Sequence, residues 1–136
     1  MIQDYSLING RRQNGMNDTN NHTITLEKKD FIKIAIEIWR LRNSIEPIQD
    51  RKFSIIRHSV LNLFSFLEKE GITFVELNEQ KYDAGMALEV IDVEENPQRL
   101  KGENIIKEVI EPLILLNGQI IHQGRVIIEK GMLEET

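Results

Sequence analysis

Two apolar stripes in heptad spacing run from residue 31 to residue 67, and past Gly71 the apolar residues recur with a period of two instead. That switch constrains the fold more than any other feature, because a helical period cannot be laid down as a strand, nor a strand period as a helix. The first stripe is Phe31, Ile34, Ile38, Leu41, Ile45 and Ile48, and Ile32, Ala35, Ile36 and Trp39 widen it. A helix this apolar needs a partner helix along its length. Thr25 is the expected cap, with Glu27 and Asp30 near the positive end of the helix and Arg40 and Arg42 near the negative end. Pro47 breaks the pattern, since proline lacks a backbone donor and disfavours helix at the residue before it. Asp50 offers a second N-cap. The second stripe then follows as Phe53, Ile56, Val60, Leu63 and Leu67, and Gly71 stands where a helix-terminating residue of positive φ belongs.

Beyond Gly71, the segments 72–76, 86–93, 105–110 and 125–129 read as strands. The sharpest local signal is Leu113-Ile114-Leu115-Leu116-Asn117-Gly118-Gln119-Ile120-Ile121. Asn-Gly between apolar runs specifies a two-residue type I′ hairpin, whose two central residues both need positive φ. Pro112 just before it marks an edge or bulge. The acidic run Asp92-Val93-Glu94-Glu95-Asn96-Pro97 is expected to lead into a loop ending near Gly102. The resulting fold class is α+β, an N-terminal helical coiled-coil or bundle dimerisation segment followed by a small all-β domain. The expected divisions are a disordered tail at 1–23, rich in Asn and poor in large apolar residues, and a helical segment of two helices at 24–70. A β-domain at 71–131 and a frayed end at 132–136 follow. The expected dimerisation residues are those of the two stripes: Phe31, Ile34, Ile38, Leu41, Ile45, Phe53, Ile56, Val60, Leu63 and Leu67.

The chemistry-bearing residues are sparse. There is no cysteine, which excludes disulfides and thiolate catalysis. A net charge of −5 argues against nucleic acid and anionic membranes as partners, because both require clustered Lys and Arg. No apolar run reaches the roughly 20 residues of a membrane span, and the start of the chain lacks a secretory pattern, so the expected compartment is the cytoplasm. His22, His58 and His122 have no ligand spacing, and the acidic run has no calcium-loop frame, so neither a metal nor another cofactor is expected. Phosphate-binding glycine loops and nucleophile elbows are lacking. The expectation is a protein that acts by binding another protein and not by catalysis.

Three stretches, in this order, resemble the GrpE family, the nucleotide exchange factors of DnaK-type chaperones. Phe66-Leu67-Glu68-Lys69-Glu70-Gly71-Ile72 resembles the end of the family's helical part. Tyr82-Asp83-Ala84-Gly85-Met86-Ala87-Leu88 resembles its Phe-Asp-Pro segment, with Ala84 in place of the proline. Leu116-Asn117-Gly118-Gln119-Ile120-Ile121, running on to Val126-Ile127-Ile128, resembles its final hairpin and strand. The resemblance spans roughly residues 26–130; Leu113-Ile114 departs from the family's Gly-aromatic pair, and the helical part is short. It implies a homodimer whose β-domain pushes on the ATPase domain of a DnaK-type chaperone and so promotes ADP release. By match to the family segment the implied contacts are Tyr82, Asp83 and Met86, with Glu89 on the next strand and Asn117 at the hairpin tip. The alternative is a non-catalytic adaptor or scaffold subunit that uses the same fold.

Overall fold

Glu27 starts the first helix: its carbonyl accepts from the N–H of Asp30 and of Phe31, each at 3.0 Å, so the cap lies two residues after Thr25. The computed structural model describes residues 22–135; the tail expected over 1–23 lies almost wholly outside them. The chain divides into two units between Glu37 and Ile38, and helix α1 (Lys28–Ile45) crosses that boundary. In the first unit, residues 22–27 carry no regular structure and lead into the opening turns of α1.

The second unit holds the rest of α1, a second helix and all the strands. Helix α1 stops before Pro47, with the Ile48 N–H returning to the Ile45 carbonyl at 3.0 Å. Asp50 then caps a short 3₁₀ turn, Arg51–Phe53, its Oδ1 accepting from the Lys52 N–H at 3.0 Å. Helix α2 (Ser54–Lys69) follows directly. It ends at Gly71, whose φ of 93° turns the chain out of the helix while its N–H bonds the Glu68 carbonyl at 3.0 Å.

Six strands come next: β1 (Ile72–Val75), β2 (Leu88–Leu100), β3 (Asn104–Glu111), β4 (Leu113–Leu116), β5 (Gln119–His122) and β6 (Gly124–Leu133). They form two three-stranded sheets, ordered β1-β4-β5 and β2-β6-β3. The architecture is therefore α+β, two helices followed by two small sheets. The first sheet is antiparallel throughout, whereas in the second β2 runs parallel to β6 and β3 antiparallel to it.

The chain passes between the sheets at three places: through residues 76–87 between β1 and β2, at Gln123 between β5 and β6, and at Pro112, fully buried between β3 and β4. A proline suits such a corner because it has no N–H to leave unpaired where one ladder ends and the next begins. The Asn117-Gly118 turn joins β4 to β5 with φ of 50° and 86°, both positive as a type I′ turn demands.

Strand β2 differs from the sequence reading. The stretch after Val93, expected as a loop, stays in the sheet through Leu100, because Glu94, Glu95 and Asn96 pair with Glu129, Lys130 and Gly131 of β6. Pro97 is accommodated in the register shift between Asn96 and Leu100, where it interrupts no regular ladder. Strand β6 likewise runs on to Leu133, past Gly131.

The β core gathers Leu77, Leu88, Ile106, Leu113, Val126 and Ile128, with Val75, Tyr82, Met86, Ala87, Val90 and Val109 packed around it. Alternation decides who enters it: Gly124, Val126 and Ile128 are buried along β6, and the residues between them are half-buried. Among the described residues no helix is long and apolar enough to cross a membrane.

Candidate partner interface

The segment 82–87 forms a tight turn before β2. The Tyr82 N–H bonds the Asn104 carbonyl at 2.8 Å, fastening the segment to the start of β3. Asp83 organises the turn. Its Oδ1 accepts from the Gly85 N–H at 3.0 Å, its carbonyl accepts from the Met86 N–H at 2.9 Å, and its own N–H points at the Met86 sulfur at 3.4 Å. Tyr82 and Met86 are half-buried against the β core, so each has a packing role besides any contact surface it offers. Asp83 is exposed. Glu89, on β2, is also exposed, and its Oε1 lies 3.1 Å from Arg125 Nε.

Asn117 belongs elsewhere. It sits at the tip of the other sheet, where its N–H donates to the Gly71 carbonyl at 2.8 Å and its side chain covers the Gly71 α-carbon. A methyl group on Gly71 would overlap Asn117 Oδ1. The turn that closes the β4-β5 hairpin is thus fastened to the end of α2. Of the five candidate contact residues, four share one stretch of chain, while Asn117 ties the hairpin to the helix.

Two charged clusters on the strands were not foreseen. Glu111 is central to one: its Oε1 lies 2.9 Å from His122 Nε2, and its Oε2 lies 3.8 Å from Arg125 and 3.9 Å from Arg40. Arg125 therefore stands between Glu89 and Glu111, and the exposed candidate Glu89 is joined to a partly buried set. Counting back from the hairpin would place Ile114 opposite Ile121; a register shift between Ile114 and Leu115 sets it opposite His122 instead, so the contact with Glu111 was not legible in the sequence. The second cluster lies on the β2-β6-β3 sheet. Glu129 accepts a hydrogen bond from the Asn96 side chain and is bound by Arg99 at 2.9 Å; both hold its carboxyl below the usual 4.5, with Lys107 adding to the effect. The hydrogen bond and charge of Glu94, 2.6 Å away, raise the Lys107 ammonium above its ordinary 10.5. His58 is exposed on α2, and among the described residues no three His, Asp or Glu side chains come together in a way that could hold a metal ion.

The helical stripes divide by heptad phase. Phe31, Ile38 and Ile45 are buried, as are Val60 and Leu67, and Phe53 is half-buried. The residues between them are open to solvent: Ile34 (46%), Leu41 (48%) and Ile48 (38%) on α1 and just beyond it, and Ile56 (49%) and Leu63 (42%) on α2. Ile55 and Phe66 extend the exposed face of α2. No protein-family model matches this chain, and no curated protein is found to be similar to it. One phase of each stripe is used inside the chain, and the other remains available to a second surface.

Proposed function

We propose that this chain is a GrpE-like nucleotide exchange factor, a cytoplasmic homodimer that binds the ATPase domain of a DnaK-type chaperone and promotes ADP release. One observation carries the reading. The helical part hands over at Gly71 to a β unit whose Leu116-Asn117-Gly118-Gln119 hairpin bonds back to Gly71, so two of the three family-like stretches meet at one joint. Such a joint transmits force. A β unit clamped to a helix can press on a lobe of a partner without folding away from its support. The work required is only a higher affinity for the open nucleotide cleft than for the closed one, and no chemistry of its own. The exposed heptad phase, with Leu41, Ile56 and Leu63, supplies the dimer surface, since a contiguous apolar face on a helix calls for cover.

The adaptor reading has its own support. Tyr82 and Met86 pack on the core, Asp83 holds its own turn, Glu89 is paired with Arg125 and Asn117 covers Gly71, so all five proposed contact side chains also serve the fold. The deciding experiment is recovery of bound ATPases from native lysate, followed by release of a fluorescent ADP analogue from the ATPase recovered. Accelerated release establishes exchange. Stable binding without acceleration establishes the adaptor.

A further inference from the structure

A cleft of about 390 Å³ lies where α1, α2 and β1 approach one another in the second unit, lined by Arg42, Phe64, Glu68, Thr73, Phe74 and Glu76 among others. The Arg42 guanidinium stands over the Phe64 ring, 4.2 Å from its centre, and Phe64 in turn meets Phe74 at 5.2 Å. Arg42 Nε is shielded from solvent and has no hydrogen-bond acceptor. A shielded guanidinium N–H without a partner is costly, and a carboxylate is the group whose two oxygens match the guanidinium fork.

The other wall is a strand edge. β1 lies at the margin of its sheet and pairs only with β4. The bond from Asn117 N–H to the Gly71 carbonyl sets the alternation along that ladder. Thr73 and Val75 bond to β4, and Ile72 and Phe74 turn their N–H and C=O groups toward the open edge. The cleft therefore offers backbone donors and acceptors in strand spacing, two aromatic rings and one guanidinium N–H without an acceptor. Glu68 and Glu76 add negative charge to its walls, which disfavours a polyacidic ligand.

The geometry points to a peptide-binding site: an extended segment that adds to the β1 edge, sets one carboxylate side chain on Arg42 and carries basic residues on either side of it to meet Glu68 and Glu76. Strand addition takes its affinity from main-chain bonds and its selectivity from side-chain pockets. This site is separate from segment 82–89 and stands whether or not the chain exchanges nucleotide.

The test uses the full chain and an acetylated, amidated Lys-Val-Asp-Val-Lys peptide, followed by nuclear magnetic resonance. Saturable binding is expected, with shifts confined to the amides of residues 72–74 and the Arg42 Nε–H signal. Affinity should fall at least tenfold when Asn replaces the peptide's Asp, when the amide of that residue is N-methylated, and in Arg42→Gln. The two peptide changes leave the protein untouched, so they remain decisive if that variant folds poorly. Equal affinity for the Asp and Asn peptides, shifts elsewhere, or no binding at millimolar peptide overturns the proposal. So does an Arg42→Gln variant that alters self-association and leaves peptide affinity unchanged.

Discussion

Gly118 and Glu129 show two ways in which single residues hold the β unit. Gly118 adopts a φ of 86°, where a β-branched side chain meets its own backbone. Replacing it in Gly118→Val should cost at least the ~1–2 kcal/mol typical of left-handed backbone for an L-residue. The expected result is a melting temperature several degrees lower with the helical circular dichroism largely kept; an unchanged melting curve would refute the assigned turn. Glu129 acts through charge. Asn96 and Arg99 keep its carboxyl ionised below the usual 4.5, so its folded value lies below its unfolded one. That contribution is fully present above the ordinary carboxylate range and is lost as pH falls through the lowered value. Denaturant titrations of wild type and Glu129→Gln should therefore differ at neutral pH and converge at acid pH. A gap that stays constant down to low pH would exclude the linkage.

Each helix has one heptad phase committed inside the chain and one facing solvent, and the two phases should respond differently to charge. Ile38 is 5% exposed, and burying such a side chain is worth about 1.5–3 kcal/mol before the cost of a buried carboxylate is added. Ile38→Asp should accordingly unfold part of the helical segment. Leu63, on the exposed phase, should tolerate Leu63→Asp as a folded chain while losing self-association. Light scattering and circular dichroism on both variants separate these outcomes. A wild-type chain that stays monomeric at micromolar concentration would remove the proposed dimer altogether.

At the scale of the whole molecule, the proposed exchange activity depends on a rigid path from helix to β face. Met86 is packed against the core, so Met86→Glu should lower the melting temperature and is a poor probe of partner contact. Glu89 is the cleaner choice. Its side chain is 57% exposed, and a surface ion pair of this kind contributes no more than about 1 kcal/mol. Glu89→Lys should keep the fold, weaken binding to the cognate ATPase and slow assisted ADP release, because acidic groups on a contact face steer encounter with a basic one. Normal folding with wild-type ADP release would show that Glu89 lies off the partner face.

Features set within a few residues were legible in the sequence. Pro47 ended the first helical pattern, Gly71 closed the second, Asn117-Gly118 named its own turn, and alternation along 125–129 marked a strand, because backbone sterics and side-chain period act locally. Asp50 likewise capped the turn that begins α2. What depended on surfaces meeting across the chain was not legible. The heptad stripe does not say which phase turns inward, since both phases are equally apolar. The parallel pairing of β2 with β6 joins strands more than thirty residues apart and drew the expected loop after Val93 into the sheet. Asn117 looked like a free hairpin tip until Gly71 was found beneath it, and Glu89 like a lone carboxylate until β6 brought Arg125 alongside. Periodicity and turn chemistry are properties of a short window of chain; phase, register and ion pairing are decided by the packing of remote segments.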